Sequence, residues 1–500
     1  MKKIAFAFAF ALAFAAFVSC SSIEDDPSSS SGNNGDSSSS IGGGDGTSSG
    51  GGDGNSSIGG GEGSSSSGGG DGNSSSAVSG GNSSSNVSGG NSSSSVGGGN
   101  SSSGGTSANQ WTDWPFDSDG ENLQASPDCP SQGTPIEIKY NNGGSPDVTN
   151  PYAGEVSVTN SGEHVTVNLG AVERNLLLSG TAQNGSLKVY GNERVGLYLN
   201  GVRITNSSGP AINIQRSRRV SVCLVSGKEN YLDGASALPQ GDEQAKGAFF
   251  SEKKLDFTGS GSLEVKARQG QGNGHAIVVD NDFEMDNGKI IISEAYGDGI
   301  HANDKINIKG GVIKIASQGD AIQSERGDSV IVSGGKILAK TTGIKSHGIT
   351  SEHTVTIKGN ARVQISVLGN GSKGIKSLNT TDVLSGTVKI KTSGGQDQND
   401  ADTSTSAGIK VGPGNGQKPD NLYIEGGSLE IRSTGSKAKG INTNGDIEMT
   451  NGNVTINATD DGIKVRGVLR MRGGSITVTS STKDNIDGTI SQTGGTINGR

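Results

Sequence analysis

One short unit recurs through about three quarters of the 500-residue chain and restricts what the chain can fold into. In each copy a glycine-isoleucine pair, or an Ala-Ile or Asn-Ile variant, precedes two alternating apolar runs that a glycine turn separates. The isoleucines of these pairs are Ile277, Ile300, Ile322, Ile344, Ile375, Ile409, Ile441, Ile463 and Ile486. The successive differences between these numbers are 23, 22, 22, 31, 34, 32, 22 and 23. A unit of about 22 residues is thus enlarged by about ten in three consecutive copies.

Each unit offers three short strands with one apolar face apiece, which is the pattern of one coil of a parallel β-helix. Coils stack at the inter-strand spacing of about 4.8 Å, so like positions form columns and the isoleucines form one buried stack. Propeller blades need repeats of about 40 residues or more, and a β-sandwich would not keep a fixed step. The sequence therefore predicts an all-β fold, a right-handed parallel β-helix over residues 135–500. We expect β-structure from Ile136 to Leu178 at its N-terminal end.

Residues 1–19 have the features of an export signal. Two lysines precede an apolar run from Ile4 to Val18, which is too short to span a bilayer as a mature helix. The following Cys20 resembles the lipidated cysteine of a bacterial lipoprotein signal, and the alternative is an ordinary secretory signal with a coincidental cysteine. We expect residues 1–19 to be removed and Cys20 to carry a lipid that holds the protein at the cell surface, on the outer membrane.

Residues 20–110 are almost entirely Ser, Gly and Asn, a composition that cannot bury enough apolar surface to offset chain entropy. We predict a disordered tether with a root-mean-square span of roughly 50 Å. Residues 111–134 form a linker to the folded domain, and this linker holds both tryptophans of the chain.

The distribution of charge argues against a nucleic-acid partner. Residues 21–110 hold eight acidic residues and no basic residue, and the signal holds two lysines. Of the 50 acidic and 41 basic residues, 42 and 39 remain for residues 111–500, a net charge of −3. A nearly neutral domain lacks the basic surface that binds nucleic acids. We expect a monomer that contacts the membrane through its lipid anchor alone.

Two further cysteines, Cys129 and Cys223, leave the disulfide question open. They are able to pair in an oxidising compartment, but Cys223 lies in the apolar run "VSVCLV", as a buried small residue would. We favour the free, buried thiol.

The residue after each marker isoleucine is expected to point outward. In the three enlarged units that residue is a lysine, which gives the candidate glycan-binding residues Lys345, Lys376 and Lys410. Stacked like charges about 5 Å apart repel, so a lysine column is easier to understand beside an anionic ligand such as a polymer of uronic acids. The alternative is that these lysines are simply solvated.

Aspartates two residues before the marker form a second column that suggests calcium. Calcium takes six to eight oxygen ligands, which neighbouring coils are able to supply together. The candidate ligands are Asp298, Asn303, Asp304 and Asp320 at a first site, and Asp461 and Asp484, with Asp460, at a second site. Ordinary turn chemistry explains Asp-Gly pairs equally well. The five histidines show no ligand spacing, so zinc is not expected.

The order of several segments resembles a known family. These segments are "VGLYLNGVRITNSSGPAINIQ", "ENYLDG", "GAFFSEKKLDFTGSGSLEV", "GDGIHANDKINIKGGVIKI" and "GIKS". They resemble the carbohydrate-binding, calcium-containing parallel β-helix proteins of plant-cell-wall-degrading bacteria, whose fold is similar to that of pectate-type polysaccharide lyases. The resemblance implies binding of cellulose or pectin-like polymers and calcium in the helix turns, without a need for catalysis. The matching aspartates are Asp298, Asp461 and, in an Ala variant, Asp320.

From these features we expect a surface-anchored protein that attaches the cell or its enzymes to plant cell-wall polysaccharide. Its cofactor would be calcium, with no catalytic residues. One alternative is a calcium-dependent polysaccharide lyase, in which a lysine of the column serves as base. A second alternative is a structural adhesin without glycan specificity.

Overall fold

The computed structural model describes residues 129–399, 404–412 and 420–499. The predicted signal peptide, Cys20, the tether over 20–110 and the linker up to residue 128 lie outside these residues. Within the described ranges the chain forms 38 strands and no helix. It follows that no helix there is long and apolar enough to cross a membrane.

The strands follow one another in short steps. The first thirteen are β1 (Ile136–Asn141), β2 (Gly144–Thr149), β3 (Ser157–Ser161), β4 (His164–Asn168), β5 (Arg174–Ala182), β6 (Ser186–Tyr190), β7 (Arg194–Thr205), β8 (Ile212–Gln215), β9 (Arg219–Leu224), β10 (Glu229–Ala235), β11 (Gly247–Ser251), β12 (Leu255–Gly259) and β13 (Ser262–Arg268). The next thirteen are β14 (His275–Val279), β15 (Phe283–Met285), β16 (Lys289–Ala295), β17 (Ile300–Ala302), β18 (Ile306–Ile308), β19 (Val312–Ser317), β20 (Ile322–Ser324), β21 (Val330–Val332), β22 (Lys336–Thr341), β23 (Ile349–Ser351), β24 (Thr354–Ile357), β25 (Arg362–Val367) and β26 (Lys373–Ser377). The last twelve are β27 (Thr380–Val383), β28 (Thr387–Thr392), β29 (Ala407–Val411), β30 (Leu422–Ile424), β31 (Ser428–Ser433), β32 (Lys439–Thr443), β33 (Ile447–Met449), β34 (Asn453–Ala458), β35 (Ile463–Met471), β36 (Ser475–Ser480), β37 (Ile486–Gln492) and β38 (Thr496–Asn498).

Each coil contributes one strand to each of three parallel ladders. Strands β14, β15 and β16 pair in register with β17, β18 and β19 of the next coil, and the pattern continues along the chain. We name the outward surfaces of these ladders face A (β14, β17 and their counterparts), face B (β15, β18) and face C (β16, β19). The result is a parallel β-solenoid of about 13 turns, which confirms the predicted fold class.

The N-terminal end departs from the parallel pattern. Strand β1 pairs with β2 and β3 pairs with β4, both antiparallel. Strands β1 and β4 then pair in parallel with β5 and β6. The predicted β-structure from Ile136 to Leu178 is therefore present.

The core is the predicted stack of marker isoleucines, with one correction and with a partly buried last member, Ile486, which pairs with Ile463. The stacked side chains, each at most 1% exposed, are Ile277, Ile300, Ile322, Ile349, Ile375, Ile409, Ile441 and Ile463. Ile344 was predicted to belong to this stack, but it is 60% exposed, and Ile349 takes its place between Ile322 and Ile375. The steps from Ile322 to Ile349 and from Ile349 to Ile375 are 27 and 26 residues, so the extra residues are divided between both sides of the marker, whereas the prediction placed all of them after it.

The fold explains why a glycine precedes six of the eight stacked isoleucines, with alanine before Ile277 and Ile322. A Cβ on Gly374 would collide with Cγ2 of Ile390 in the third strand of the same coil and lie 2.6 Å from the carbonyl oxygen of Gly408. Gly348 faces Ile365 in the same way. The glycine before Ile344 instead abuts the carbonyl oxygen of Gln318, so that pair belongs to a loop.

The prediction of a free, buried thiol at Cys223 is wrong. Cys129 and Cys223 form a disulfide with their Cα atoms 5.7 Å apart. The pairing arises because the residues before β1 lie across the first coils. Tyr198, next to Cys223 in the ladder, donates its hydroxyl to the carbonyl of Pro130 at 3.2 Å.

Candidate functional site

Face A carries one continuous column of polar side chains. The register of its strands places in one line His301, Gln323, Thr350, Lys376, Lys410, Asn442, Lys464 and Asp487. Seven steps of about 4.8 Å make this column about 34 Å long. Every member offers a hydrogen-bond donor or acceptor, so the column suits a long polar ligand that lies along the solenoid axis.

The predicted lysine column is correct for Lys376 and Lys410, which are register partners, and wrong for Lys345. Thr350 holds the column position in that coil, while Lys345 lies in the loop before β23 with a φ of 56°. Its Nζ lies 3.8 Å from a carboxylate oxygen of Asp397. The misplacement follows directly from the exchange of Ile344 for Ile349.

A groove of about 290 Å³ lies beside the column, and Lys345 still reaches it from the side. Its lining includes Asp298, Asp320, Gln323 and Lys376. On that side the described parts of the enlarged loops stack on one another without room for side chains on their glycines: a Cβ on Gly369 would overlap the carbonyl of the loop one coil before. These described parts form a wall at one edge of face A.

The aspartates two residues before the marker belong to a buried hydrogen-bond ladder. His275 Nδ1 accepts a hydrogen bond from the backbone N–H of Asp298 at 2.8 Å, and Asp298 Oδ1 accepts one from the N–H of Asp320 at 2.7 Å. Asp320 Oδ1 accepts from His347 N–H at 2.6 Å, and His347 Nδ1 accepts from Lys373 N–H at 3.0 Å. Each side chain thus satisfies a backbone donor of the next coil where the strands turn.

Sequence reasoning missed both histidines of this ladder. His275 precedes Ile277 by two residues, so the signal was present once the column was extended one coil upward. His347 precedes Ile349 by two residues and was hidden by the choice of Ile344 as marker.

The charges of the ladder are tuned by burial and by neighbours. Burial alone would raise the pKa of Asp298, but His275 and His301 beside it outweigh burial and hold that pKa well below its usual range. Burial, followed by the charge of Asp298, raises the pKa of Asp320 to about 7. Two adjacent carboxylates of which one resists ionisation are typical of a site that shares a proton or binds a cation.

His301 is a charged bridge between the ladder and the column. Burial would lower its pKa, but Asp298 at 3.0 Å from Nδ1 and Glu325 at 3.7 Å from Nε2 raise that pKa to about 9. The side chain is therefore an imidazolium at neutral pH. It also lines a second groove on face A, of about 380 Å³, together with Leu238 and Arg326.

The structure divides the first predicted calcium site. Asp298 and Asp320 lie together, but Asn303 and Asp304 lie at the other end of β17, about 16 Å from Asp298 at roughly 3.3 Å per residue. Asn303 donates to Asp280 at 3.0 Å, and Asp304 accepts from the Asn281 amide at 2.8 Å. One ion cannot contact both ends of the strand, so a shared site of all four residues is wrong.

The second predicted calcium site contains two lysines. Asp461 is buried, with Lys439 Nζ at 3.1 Å and Lys464 Nζ at 3.7 Å from its carboxylate. Asp484, one coil further on, is exposed. The charge of Asp461 is thus already balanced by ammonium groups.

His275, Asp298 and His301 form a set that is able to hold a metal ion, since one ligand atom from each lies within 4.8 Å of the others. The fold brings together two histidines that belong to successive coils. However, the lone pair of His275 Nδ1 already accepts a backbone hydrogen bond, and the charge of His301 is matched by two carboxylates. Hydrogen bonds and charge pairing account for the arrangement without a metal.

Lys410 differs from the other lysines of the column. Burial, followed by the nearby charge of Arg466, lowers the pKa of Lys410 to about 8. Its Nζ donates to the side-chain oxygen of Asn444 at 3.0 Å. A lysine with a lowered pKa is partly neutral near pH 8 and is able to accept a proton.

The fold and this site define a parallel β-solenoid with a long polar binding face. The family model of the carbohydrate-binding domain-containing proteins matches residues 161–434 and 417–498. These ranges cover more than half of the chain, and the chain belongs to that family.

Two relatives illustrate the similarity. A carbohydrate-binding domain-containing protein of Acetivibrio thermocellus is 32% identical over 120 residues, which are 23% of this chain and 40% of that protein. The chain thus spans less than half the length of that relative. A solved structure of a polysaccharide lyase-like protein from C. thermocellum, a gadolinium derivative, is 26% identical, with a TM-score of 0.42. The match covers 51% of this chain and 97% of the other.

Proposed function

We propose that the protein binds plant cell-wall polysaccharide along face A and, through a lipid on Cys20, attaches the cell or its enzymes to that polymer. The observation that carries the proposal is the continuous polar column beside the wall of enlarged loops. Membership in a carbohydrate-binding family supports it. A polymer lying along the axis would meet a new donor or acceptor at each coil.

The charges of the column favour an acidic polymer. Lys376 and Lys410 are direct neighbours on one line, and the amide of Asn442 follows them. Lys464 comes next and is paired with Asp487 at 2.5 Å. Carboxylates that repeat along a polyuronate would lie opposite these cations, while the amides would bind hydroxyl groups. The paired carboxylates of Asp298 and Asp320 are the proposed calcium ligands within this face.

The proposal is tested with the mature chain and its Lys376→Ala/Lys410→Ala variant, in pull-down and titration against polygalacturonate and cellulose. We expect the variant to lose about tenfold in affinity for polygalacturonate, equivalent to about 1.4 kcal/mol. Lys358→Ala, an exposed lysine in the turn between β24 and β25, is the matched control and should bind like the wild type. Equal affinity of the double variant would contradict the role of face A. Absence of retention on every polymer would favour a structural adhesin.

A polysaccharide lyase is the second candidate, and the lowered pKa of Lys410 favours it. Such an enzyme needs a base to remove the proton beside the uronate carboxyl group. Incubation with polygalacturonate and calcium, followed by the absorbance of unsaturated product, distinguishes the two functions. Turnover that Lys410→Ala abolishes would establish catalysis and overturn a purely binding role.

A further inference from the structure

Three side chains lie together where two coils meet: Lys410 in β29, Asp420 just before β30, and Asn444 just after β32. Strands β29 and β32 are register partners, with Lys410 opposite Asn442. The Nζ atom of Lys410 lies 3.0 Å from the side-chain oxygen of Asn444, although the two residues are 34 apart in sequence. The fold thus places the amine of one coil against the side-chain amide of the next.

Asp420 is fixed beside this pair by its backbone and by the absence of a side chain opposite it. Its carbonyl oxygen accepts hydrogen bonds from the hydroxyl group of Thr443 and from the N–H of Gly445, the latter at 3.1 Å. Its carboxyl group occupies the space that a side chain on Gly412 would need, since a Cβ there would lie 2.3 Å from the carboxyl carbon. Asp420 is only 1% exposed, so this carboxyl group is shielded from water.

Two polar atoms of this cluster have no partner. Oδ1 of Asp420 and Nδ2 of Asn444 are buried and make no hydrogen bond with the described residues. Asn444 is nevertheless close enough to the carboxyl group of Asp420 to affect the pKa of that group. Buried polar groups are nearly always satisfied, so two exceptions side by side call for an explanation, such as a reaction between the groups.

Burial favours the neutral form of both ionisable groups of the cluster. Burial, followed by the charge of Arg466, lowers the pKa of Lys410 to about 8. Burial also raises the pKa of Asp420, against the opposing effect of Lys410. An unprotonated lysine is a nucleophile, and a protonated carboxyl group is able to donate a proton to a leaving group. An attack of the amine on the amide requires these two states.

We propose that Lys410 and Asn444 join in an intramolecular amide bond, with Asp420 as the acid and base that transfers the protons. The lone pair of Lys410 Nζ attacks Cγ of Asn444 and forms the new N–C bond. Asp420 donates its proton to Nδ2, the Cγ–Nδ2 bond breaks, and ammonia leaves. The surplus proton on Nζ then passes to the carboxylate of Asp420. One amide replaces another, so nothing is oxidised or reduced.

The position of the three groups supplies the rate of this reaction. Well-oriented groups within one molecule react as if at an effective concentration of about 10⁵–10⁸ M. The bond ties the coil of β29 covalently to the coil of β32. It leaves an amide N–H as a donor in the column of face A and removes the charge of Lys410. A lysine consumed in this way is no longer a base, so the bond and a lyase role of Lys410 exclude each other.

Peptide mapping of the mature chain by mass spectrometry, after reduction of the disulfide, tests the proposal. We expect one branched peptide that joins the segments containing Lys410 and Asn444 and is lighter than their sum by one ammonia molecule. Lys410→Arg removes the reactive amine and Asp420→Asn removes the acid, so each variant should lose this peptide. Asn451→Ala, at another Asn-Gly pair but an exposed one, is the matched control and should retain it.

The wild-type chain decides the matter even if a variant fails to fold. Two separate peptides from the folded wild type, with trypsin cleavage after Lys410, would overturn the proposal. Loss of ammonia at Asn444 without a branched peptide would show ring closure onto Gly445 and would overturn it as well. A branched peptide that persists in Asp420→Asn would contradict the role given to Asp420.

Discussion

The glycine of each Gly-Ile pair is set by steric exclusion at a corner of the coil. The branched methyl group of an isoleucine in the third strand fills the space where a Cβ would stand, as Ile390 does at Gly374. The Gly-Ile pair is thus required by core packing. The residue that follows it points outward, so core packing does not restrict its identity.

Gly374→Ala is therefore expected to destabilise the protein by about 1–3 kcal/mol, since the added methyl group forces Ile390 or the backbone of Gly408 to move. Urea unfolding measures the loss. Gly154→Ala is the control, because a Cβ there meets nothing within 4 Å. Equal midpoints for the two variants would show that the corner is more adaptable than the structure indicates.

The charge of His301 predicts a dependence of stability on pH. Its folded-state pKa of about 9 lies above the unfolded value near 6.5. The stabilising contribution is therefore complete below about pH 6.5 and is lost as the pH rises through about 9. We expect a loss on the order of 2 kcal/mol between these limits, because the side chain is largely buried between two carboxylates.

Unfolding in the presence of a chelator, at intervals between pH 7 and 9.5, measures this effect. The raised pKa of Asp320, about 7, affects stability mainly below this range. The lowered pKa of Lys410, about 8, adds stability as the pH rises through this range, so all variants are compared in a Lys410→Gln background. His301→Gln should flatten the slope, while His164→Gln in β4 should keep it. A steep slope in His301→Gln would assign the effect to another group.

At the scale of elements, hydrogen bonds between paired strands hold successive coils together. A disulfide holds the residues before β1 to strand β9. The disulfide between Cys129 and Cys223 links residues 94 apart in sequence. It fixes the residues before β1 across strands β5, β7 and β9.

Cys129→Ser/Cys223→Ser is expected to lower the free energy of unfolding by about 2–4 kcal/mol, because the unfolded chain regains the freedom that the bond removes. Thermal unfolding of the wild type with and without reductant checks the same prediction without a mutation. An unchanged midpoint in both experiments would mean that the bond does not form in solution.

At the scale of the whole molecule, faces A and C differ in their side chains. Face A bears the polar column and its two grooves. Strands β16, β19, β22, β25, β28 and β31 of face C contain eight basic and two acidic residues. The proposed polymer site is therefore confined to one side of the solenoid.

Calcium is predicted to stabilise the whole fold through Asp298 and Asp320. A ligand that binds the folded state alone adds about 2.7 kcal/mol when its free concentration is about 100 times the dissociation constant. Chelation should lower the melting temperature of the wild type and should not affect Asp298→Asn/Asp320→Asn. Asp484→Asn, at an exposed position, should respond like the wild type. A midpoint that ignores calcium in the wild type would exclude the ion from this site.

Most of the architecture was predictable from local patterns. Alternation with a period of two and recurrent glycines are properties of short segments, so the strands, the coil length and the isoleucine stack were predictable from the sequence. The pairing of Lys376 with Lys410 followed, because the marker in both coils is unambiguous.

The errors in the predicted isoleucine stack and lysine column arose in one coil, which contains two pairs that fit the motif. Gly343-Ile344 and Gly348-Ile349 both fit the motif, and the distance to the next marker does not distinguish them. Packing of Gly348 against Ile365 decides the matter, and with it the positions of Lys345 and His347.

The sequence by itself determined that this chain winds into stacked β coils, because alternation and glycine placement act within a few residues. The tertiary structure decided which side chains meet between coils: His275 and His301 at Asp298, Cys129 at Cys223, and lysines at Asp461. These contacts depend on where each coil takes up its extra residues, which becomes fixed only when the core closes around the isoleucine stack.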